Sequence, residues 1–325
     1  MVVTTAGEED ARFSDLPSYL RAGDVLVLNE TRVIPARLVG KRVPSGGRAE
    51  LLLLHPAAEP RFSAGARRWI ALARPARRLR EGERVAFEDG GEAVVTRTLD
   101  DGQREVEFTL TEPFETFLER VGRLPLPRYV RRDCPEAQRG YQTVFARVPG
   151  SVAAPTASLH FTSELLERIE RAGIETARIT LDVGLGTFRP MVSQRVEEHL
   201  MHAESYIIPA QAAQAIERAR REGRRIVAAG TTVVRALEGN AQAHGTIVAG
   251  EWTTDLFIVP GFRFRVVDAM ITNFHLPQSS LLVLVSAFAG RDRIARAYAA
   301  AIERRYRFFS FGDAMLLARG GTSLQ

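Results

Sequence analysis

Two histidines and three glutamates crowd into EEHLMHAESY, residues 197–206, in a chain that has six histidines in all. His199 and His202 lie three apart, which suits one helix face, and Glu204 could supply a third metal ligand. The order H-x-x-H-x-E is not the H-E-x-x-H arrangement that sets two histidines one turn apart with a base between them. Solvated helical charge accounts well for Glu197 and Glu198. It accounts less well for His199, His202 and Glu204, because the strand-like SYIIP follows at once. A third chemistry is proton handling or the binding of a substrate hydroxyl, for which paired imidazoles and a carboxylate can donate, accept and tune one another. Taken alone, the residues leave all three open.

Four other segments carry residues of this kind. In LDVGLGTF, residues 181–188, Asp182-x-Gly184-x-Gly186 resembles the glycine-rich strand-to-helix turn of Rossmann-type methyltransferases. The third glycine is missing, with Phe188 in its place, and Pro190 interrupts the helix that should follow. The glycines suit a tight turn where backbone approaches a ligand. AAGTTVVRALEG, residues 228–239, predicts a strand, a turn and a helix capped by Thr231 or Thr232. Free amides at such a start attract a carboxylate or phosphate, and Arg235 one turn in adds positive charge. ITNFHLPQSSL and APTASLHFT place His275 and His160 in loops that enter helices. The carboxyl ends of strands are where α/β sheets bind ligands. A lone histidine is usually structural, but three histidine-bearing loops around one sheet point to a site.

The elements that must hold these loops follow from hydrophobic periodicity. DVLVL from Asp24 is a buried strand. From Glu50 to about Leu110, the runs ELLLL, RWIALA, RVAF, EAVVTRTL and REVEFTL alternate with turn signals such as EDGGE, which predicts a small β-barrel. After Pro155, SELLERIERAG is an amphipathic helix with Ser163 as N-cap and Gly173 as C-cap. Strand and helix then alternate to the end of the chain. The fold class expected is α/β: a sheet domain with helices on both faces, residues 1–34 and 130–325, carrying an inserted β-barrel domain, residues 35–129.

The totals bound the function. A chain of 325 residues with 45% hydrophobic and 26% charged residues is an ordinary soluble protein, long enough for two domains or one with an insertion. The acidic opening MVVTTAGEED does not read as a signal peptide, and LLVLVSAFA from Leu281 is too short for a membrane span, which needs about 20 residues. Cys134 is the single cysteine, so no internal disulfide and no thiolate cluster forms. The expected location is the cytoplasm. Lys41 is the only lysine, which excludes a G-K-[ST] phosphate loop. A net charge of +5 favours an anionic partner. Seven arginines and no acidic residue lie between Arg61 and Arg80, and Arg120, Arg123, Arg128, Arg131 and Arg132 extend the basic character. Arginines on a β module suit phosphate contacts; Trp69 could stack on a base or fill the core.

The segments LNETRVIPARL, GRLPLPRYV, YQTVFARVPGSVAAPTASLHF, VGLGTFRP, EEHLMHAESY, GTTVVRALE, VVDAMITNFHLPQSSLLVLVSAFAG and FFSFGDAML resemble, in order, the S-adenosylmethionine:tRNA ribosyltransferase-isomerases of queuosine biosynthesis. The likeness runs from about Asp24 to Leu316 and is weakest in the β insertion. It implies a transferase-isomerase acting on tRNA with 7-aminomethyl-7-deazaguanine at the wobble position. S-adenosylmethionine is then a consumed ribosyl donor, the product is epoxyqueuosine, and adenine and methionine are released. No metal or further cofactor, no membrane and a monomer are the family expectation. The resemblance suggests His202 and Glu204 as base and ribose contact, with His199 holding them, and His160 or His275 as the acid toward adenine. Asp313 is a further carboxylate for the amine. Gly184, Gly186, Thr187, Thr231, Thr232 and Arg235 suit S-adenosylmethionine. Asn29, Arg32, Arg37, Arg128 and Tyr141 suit the modified base or the tRNA. Asp182 stands where the family usually has His, and Ser158 where Gly is usual. An S-adenosylmethionine-dependent tRNA methyltransferase and a noncatalytic tRNA-binding protein are the alternatives.

Overall fold

The run VLVLN is buried at every position, as a strand covered on both faces must be. The computed structural model describes residues 1–57, 67–88, 90–127, 130, 138–184, 191, 196, 199, 201 and 203–320. In chain order the strands are β1 (Val2–Val3), β2 (Glu8–Glu9), β3 (Val25–Asn29), β4 (Thr31–Val33), β5 (Arg37–Val43) and β6 (Arg48–Pro56). β7 (Arg68–Arg74), β8 (Arg84–Ala86), β9 (Glu92–Thr98) and β10 (Gln103–Thr109) precede helix α1 (Phe114–Val121). β11 (Val148–Ser151), helix α2 (Ser163–Arg171), β12 (Glu175–Leu181) and β13 (Glu204–Ile208) come next. Then follow α3 (Ala210–Arg221), β14 (Ile226–Ala229), α4 (Thr231–His244), β15 (Gly250–Thr254) and β16 (Ala269–Asn273). The last are α5 (Ser280–Ala289), α6 (Arg291–Glu303) and β17 (Ala314–Ala318). By contacts the chain divides into two compact units, Met1–Thr31 with Gln142–Val148 and Ala154–Gln325, and Arg32–Tyr141 with Pro149–Ala153.

The first unit is built on a nine-stranded mixed sheet in the order β15-β13-β12-β3-β14-β16-β17-β1-β2. β12, β3, β14 and β16 run parallel, while β13 lies antiparallel to β12 and β17 antiparallel to β16. Leu26, Leu28, Val227, Ala229 and Ile271 on one face pack with Phe161 and with Leu165 and Ile169 of α2. Helices α3 and α4 pack on β3, β12 and β14 but take no part in that cluster; they cover the other face. The helix starts differ by one residue from expectation. Thr162, not Ser163, caps α2, its hydroxyl accepting from Leu165 N at 3.2 Å, and Ala172 rather than Gly173 ends it. Gly230, not a threonine, caps α4, at a φ of +103° that favours glycine.

In the second unit β10-β7-β6-β5-β8-β9 close into a barrel, which leaves no free strand edge. Its alternating residues Leu38, Leu51, Leu53, Val85, Val95 and Val106 are buried, and Phe117 of α1 sits edge-on to Phe87 at 5.3 Å. Trp69 is buried too, stacked at 5.3 Å on Phe114, so it belongs to the core rather than to a base-stacking surface. The expected fold class, an α/β sheet carrying a small closed barrel, is what the chain adopts. No described helix is long and apolar enough to cross a membrane.

Candidate active site

Because β3, β12, β14 and β16 are parallel, their carboxyl ends at Asn29, Leu181, Ala229 and Asn273 share one edge of the sheet. The antiparallel neighbours start at that same edge, with Tyr206 opposite Leu181 and Ala314 opposite Asn273. Asn29, Gly184, Glu204, Thr231, Thr232, His275 and Asp313 therefore line one border, where α/β sheets bind ligands. They do not form one cluster. Between β13 and β17 lie five interstrand steps, about 24 Å at roughly 4.8 Å each. His202, Gly186, Thr187 and Arg128 lie outside the described residues.

At the β13 end, Arg235 and Glu204 make an ion pair with only 2% and 4% of their side chains exposed. Arg235 Nε also donates to Leu256 O at 3.1 Å, and Glu204 Oε1 accepts from Gly184 N at 3.4 Å. The pair ties α4 to the turn after β12. Arg235 is thus engaged by the protein's own carboxylate and a backbone carbonyl. His199 sits half-buried and edge-on to Phe257 at 5.2 Å. Asn29 is fully buried: its Nδ2 donates to Leu181 O at 3.0 Å, and its Oδ1 accepts from Leu181 N at 3.0 Å and Thr31 N at 3.1 Å. This amide clamps β3 to β12.

In the middle of the edge, α4 begins at Gly230, whose N donates to Ile271 O at 2.8 Å. The first-turn amides of a helix have no partner within it. Thr232 Oγ1 is buried there without a hydrogen-bond partner among the described residues, and so is Asn273 Nδ2 on the adjacent strand β16. Asn273 Oδ1 is held by the Thr156 hydroxyl at 2.8 Å, which fixes the amide's orientation. Buried polar atoms are nearly always paired, so two orphans at one strand border mark a place for a polar ligand. His275, just beyond, has Nε2 2.8 Å from Thr272 Oγ1. Its backbone N donates to the Tyr298 hydroxyl at 2.7 Å, and that hydroxyl donates back to His275 O at 3.2 Å. Desolvation pushes the imidazole down to about 4, so at neutral pH it is uncharged.

At the β17 end, a cavity of about 470 Å³ is lined by Phe13, Tyr19, His160, Tyr306, Arg307 and Asp313, among others. That size is ordinary for a small-molecule site. His160 ends the turn Thr156–His160 and stacks on Phe13 at 5.0 Å, with Nε2 buried and unpartnered. Burial lowers its pKa, the Asp313 carboxylate pulls it back up and Arg307 pushes it down, for a net lowering. Burial raises the Asp313 carboxyl, but hydrogen bonds from Arg307 outweigh this and hold it below the ordinary range. Arg307 N and Nη2 donate to Asp313 at 2.7 and 2.8 Å. Gly312 lets the turn close, since a Cβ there would sit 2.4 Å from two carbonyl oxygens.

Arg32, Arg37 and Tyr141 belong to the second unit. Arg32 is exposed, Arg37 pairs with Glu50 at 3.1 Å, and Tyr141 is buried. Among the described residues no group of three or more His, Cys, Asp or Glu is placed to hold a metal ion. Sequence reasoning missed Asn273 and Phe13. Asn273 sits in a quoted motif, directly before FHLP, but a strand-end amide has no pattern of its own. Phe13 carries no local signal at all.

The profile of the family described as "Queuosine biosynthesis protein" matches residues 1–317. The chain is 52% identical over 306 residues to the S-adenosylmethionine:tRNA ribosyltransferase-isomerase of Symbiobacterium thermophilum, covering 94% of this chain and 87% of that protein. It is 51% identical over 322 residues to the enzyme of the same name from Gloeobacter violaceus, covering 98% and 89%. The crystal structure of S-adenosylmethionine tRNA ribosyltransferase from Thermotoga maritima is 34% identical, with a TM-score of 0.50 over 97% of this chain and 90% of that one.

Proposed function

We propose that this chain, which belongs to the queuosine biosynthesis protein family, moves the ribosyl group of S-adenosylmethionine onto 7-aminomethyl-7-deazaguanine at the wobble position of a tRNA. Epoxyqueuosine forms, and adenine and methionine leave. The observation that carries this reading is identity of 52% to a ribosyltransferase-isomerase, extending along 94% of the chain.

The chemistry asks for a base, an acid and a grip on each end of the donor. The sulfonium acidifies the neighbouring ribose C5′ hydrogen, so a base can remove it. Adenine departs with help from a hydrogen-bond donor or acid, the neutral aminomethyl nitrogen attacks, and epoxide closure expels methionine. Each well-placed acid or base contributes about 10²–10⁴ in rate. The unpartnered Nε2 of His160, in a cavity with an aromatic wall, suits the departing adenine. The neutral His275 suits a hydrogen-bonding role rather than that of a charged acid. The start of α4, with Thr231, Thr232 and Nδ2 of Asn273, suits the methionine carboxylate. His202 is the proposed base, with Glu204 and His199 supporting its segment, and Asp313 tunes His160. Asn29 holds the edge together; Arg32, Arg37, Arg128 and Tyr141 are assigned to the tRNA side.

Purified protein, S-adenosylmethionine and tRNA carrying the aminomethyl base are mixed, and small molecules and digested nucleosides are resolved by mass. Adenine and methionine together with an epoxyqueuosine nucleoside are expected. S-adenosylhomocysteine in place of adenine would instead identify a methyltransferase. Tight tRNA binding with no S-adenosylmethionine consumed would identify a binding protein.

A further inference from the structure

On the barrel, basic side chains commonly face a carboxylate on the next strand. Arg37 meets Glu50 at 3.1 Å, Arg68 meets Glu107 at 3.5 Å, Arg84 meets Glu92 at 2.5 Å and Arg97 meets Glu105 at 3.4 Å. Cross-strand pairing of this kind neutralises a sheet surface. The turn that leaves β7 is built otherwise. Arg74, Arg77, Arg78 and Arg80 are all exposed, and among the described residues none of them makes an ion pair. The nearby Glu81 turns its carboxylate to Thr98 N at 2.9 Å.

The turn is anchored from beneath. Leu79 is fully buried, and Arg104, itself 7% exposed, donates from Nε to Leu79 O at 2.7 Å and from Nη2 to Ala76 O at 2.9 Å. Its Nη1 donates to Gln103 O at 2.7 Å. This buried guanidinium is satisfied by carbonyls and makes no ion pair among the described residues, so its positive charge adds to that of the four exposed arginines above it. Arg80 Nε also donates to Arg77 O at 3.2 Å, which fixes the course of the turn. A depression of about 450 Å³ lies here, lined by Ala76, Arg77, Arg80, Glu81, Thr98 and Arg104.

We propose that the Arg74–Arg80 turn is a contact surface for the sugar-phosphate backbone of RNA. On the function proposed above, and resting on it, that RNA is the substrate tRNA. Guanidinium groups match phosphate oxygens in a planar, two-pronged fashion. Among the described residues, the large hydrophobic side chains at hand, Leu79 and Trp69, are buried, so they are not offered for insertion into a bilayer or for stacking on a base. Such a surface positions an RNA by charge and shape and does not read its sequence.

The test uses the full chain with Arg77→Ala, Arg78→Ala and Arg80→Ala combined, and a companion with all three changed to Lys. tRNA affinity is measured from 50 to 200 mM salt, together with adenine release from S-adenosylmethionine. Loss of three contacts should reduce the slope of log affinity against log salt by about 2–3 and raise KM for tRNA about tenfold or more. The maximal rate at saturating tRNA should not change. The lysine companion should keep most of the salt slope, which a merely structural role of these arginines would not predict. An alanine variant with wild-type slope and KM overturns the proposal. So does a loss of binding to anionic phospholipid vesicles with tRNA binding intact. If wild-type protein binds tRNA through this ridge but releases no adenine, the surface stands and the reaction assigned to the chain falls.

Discussion

At one end of the sheet's carboxyl edge Glu204 meets Arg235, and at the other Asp313 meets Arg307. Both are a carboxylate against a guanidinium, yet their surroundings differ. The first pair is 4% and 2% exposed, and further hydrogen bonds to Gly184 N and Leu256 O hold it in place. In the second, the Arg307 side chain is 74% exposed and that of Asp313 is 30% exposed, beside a cavity and a histidine with an unpartnered nitrogen. A buried pair cannot release either partner without stranding a charge, so it serves as a fixed joint. An exposed pair contributes little to stability and is free to respond to a ligand. Residue type alone does not separate a joint from a reactive site; solvation does.

The largest expected effect belongs to the cavity end. His160→Ala should slow single-turnover adenine release by about 10²–10⁴ while leaving the melting temperature nearly unchanged. Undiminished release would move the chemistry away from this cavity. Next in size, Arg235→Ala should cost about 3–5 kcal/mol in urea unfolding because it strands Glu204, whereas Asp313→Asn should cost about 1 kcal/mol or less. Equal losses would erase the contrast between the two pairs. Asn273→Ala, between the two ends, should raise KM for S-adenosylmethionine about tenfold with the maximal rate preserved, as expected for one hydrogen bond to a charged group. A lowered maximal rate at unchanged KM would assign Asn273 to the reacting atoms instead.

The last effect concerns pH. His275 falls from its ordinary 6.5 to about 4, so between these values the unfolded chain binds a proton that the folded chain resists. Its contribution to stability is therefore complete above about pH 6.5 and is lost as pH falls toward about 4. Urea titrations across that window should show the decline, and His275→Gln should flatten it. A variant with the wild-type pH slope would assign the decline to other groups.

Much of the frame was legible in local pattern. The all-apolar VLVL of β3 and the alternating runs of the barrel each carry their period along the chain, and burial on two faces or one follows from it. Serine before an apolar helix is a strong local signal, so the pattern narrows the cap of α5 to Ser279 or Ser280, and the structure places it at Ser279. The cap of α4 was not, because three adjacent residues qualify and only the backbone turn at Gly230 selects among them. The ion pair of Arg235 was not legible, for a longer-range reason. Its partner Glu204 lies 31 positions away, and only the register of β13 in the sheet brings the two together.

The sequence by itself determined the element types, the fold class and, through its long motifs, the family, since these rest on periodicity and residue order within short segments. The tertiary structure decided which charged groups are joints and which are free. It spread the expected catalytic residues along an edge of about 24 Å and brought forward Asn273 and Phe13. Those outcomes depend on strand order and solvent exclusion, and both arise only when distant segments pack.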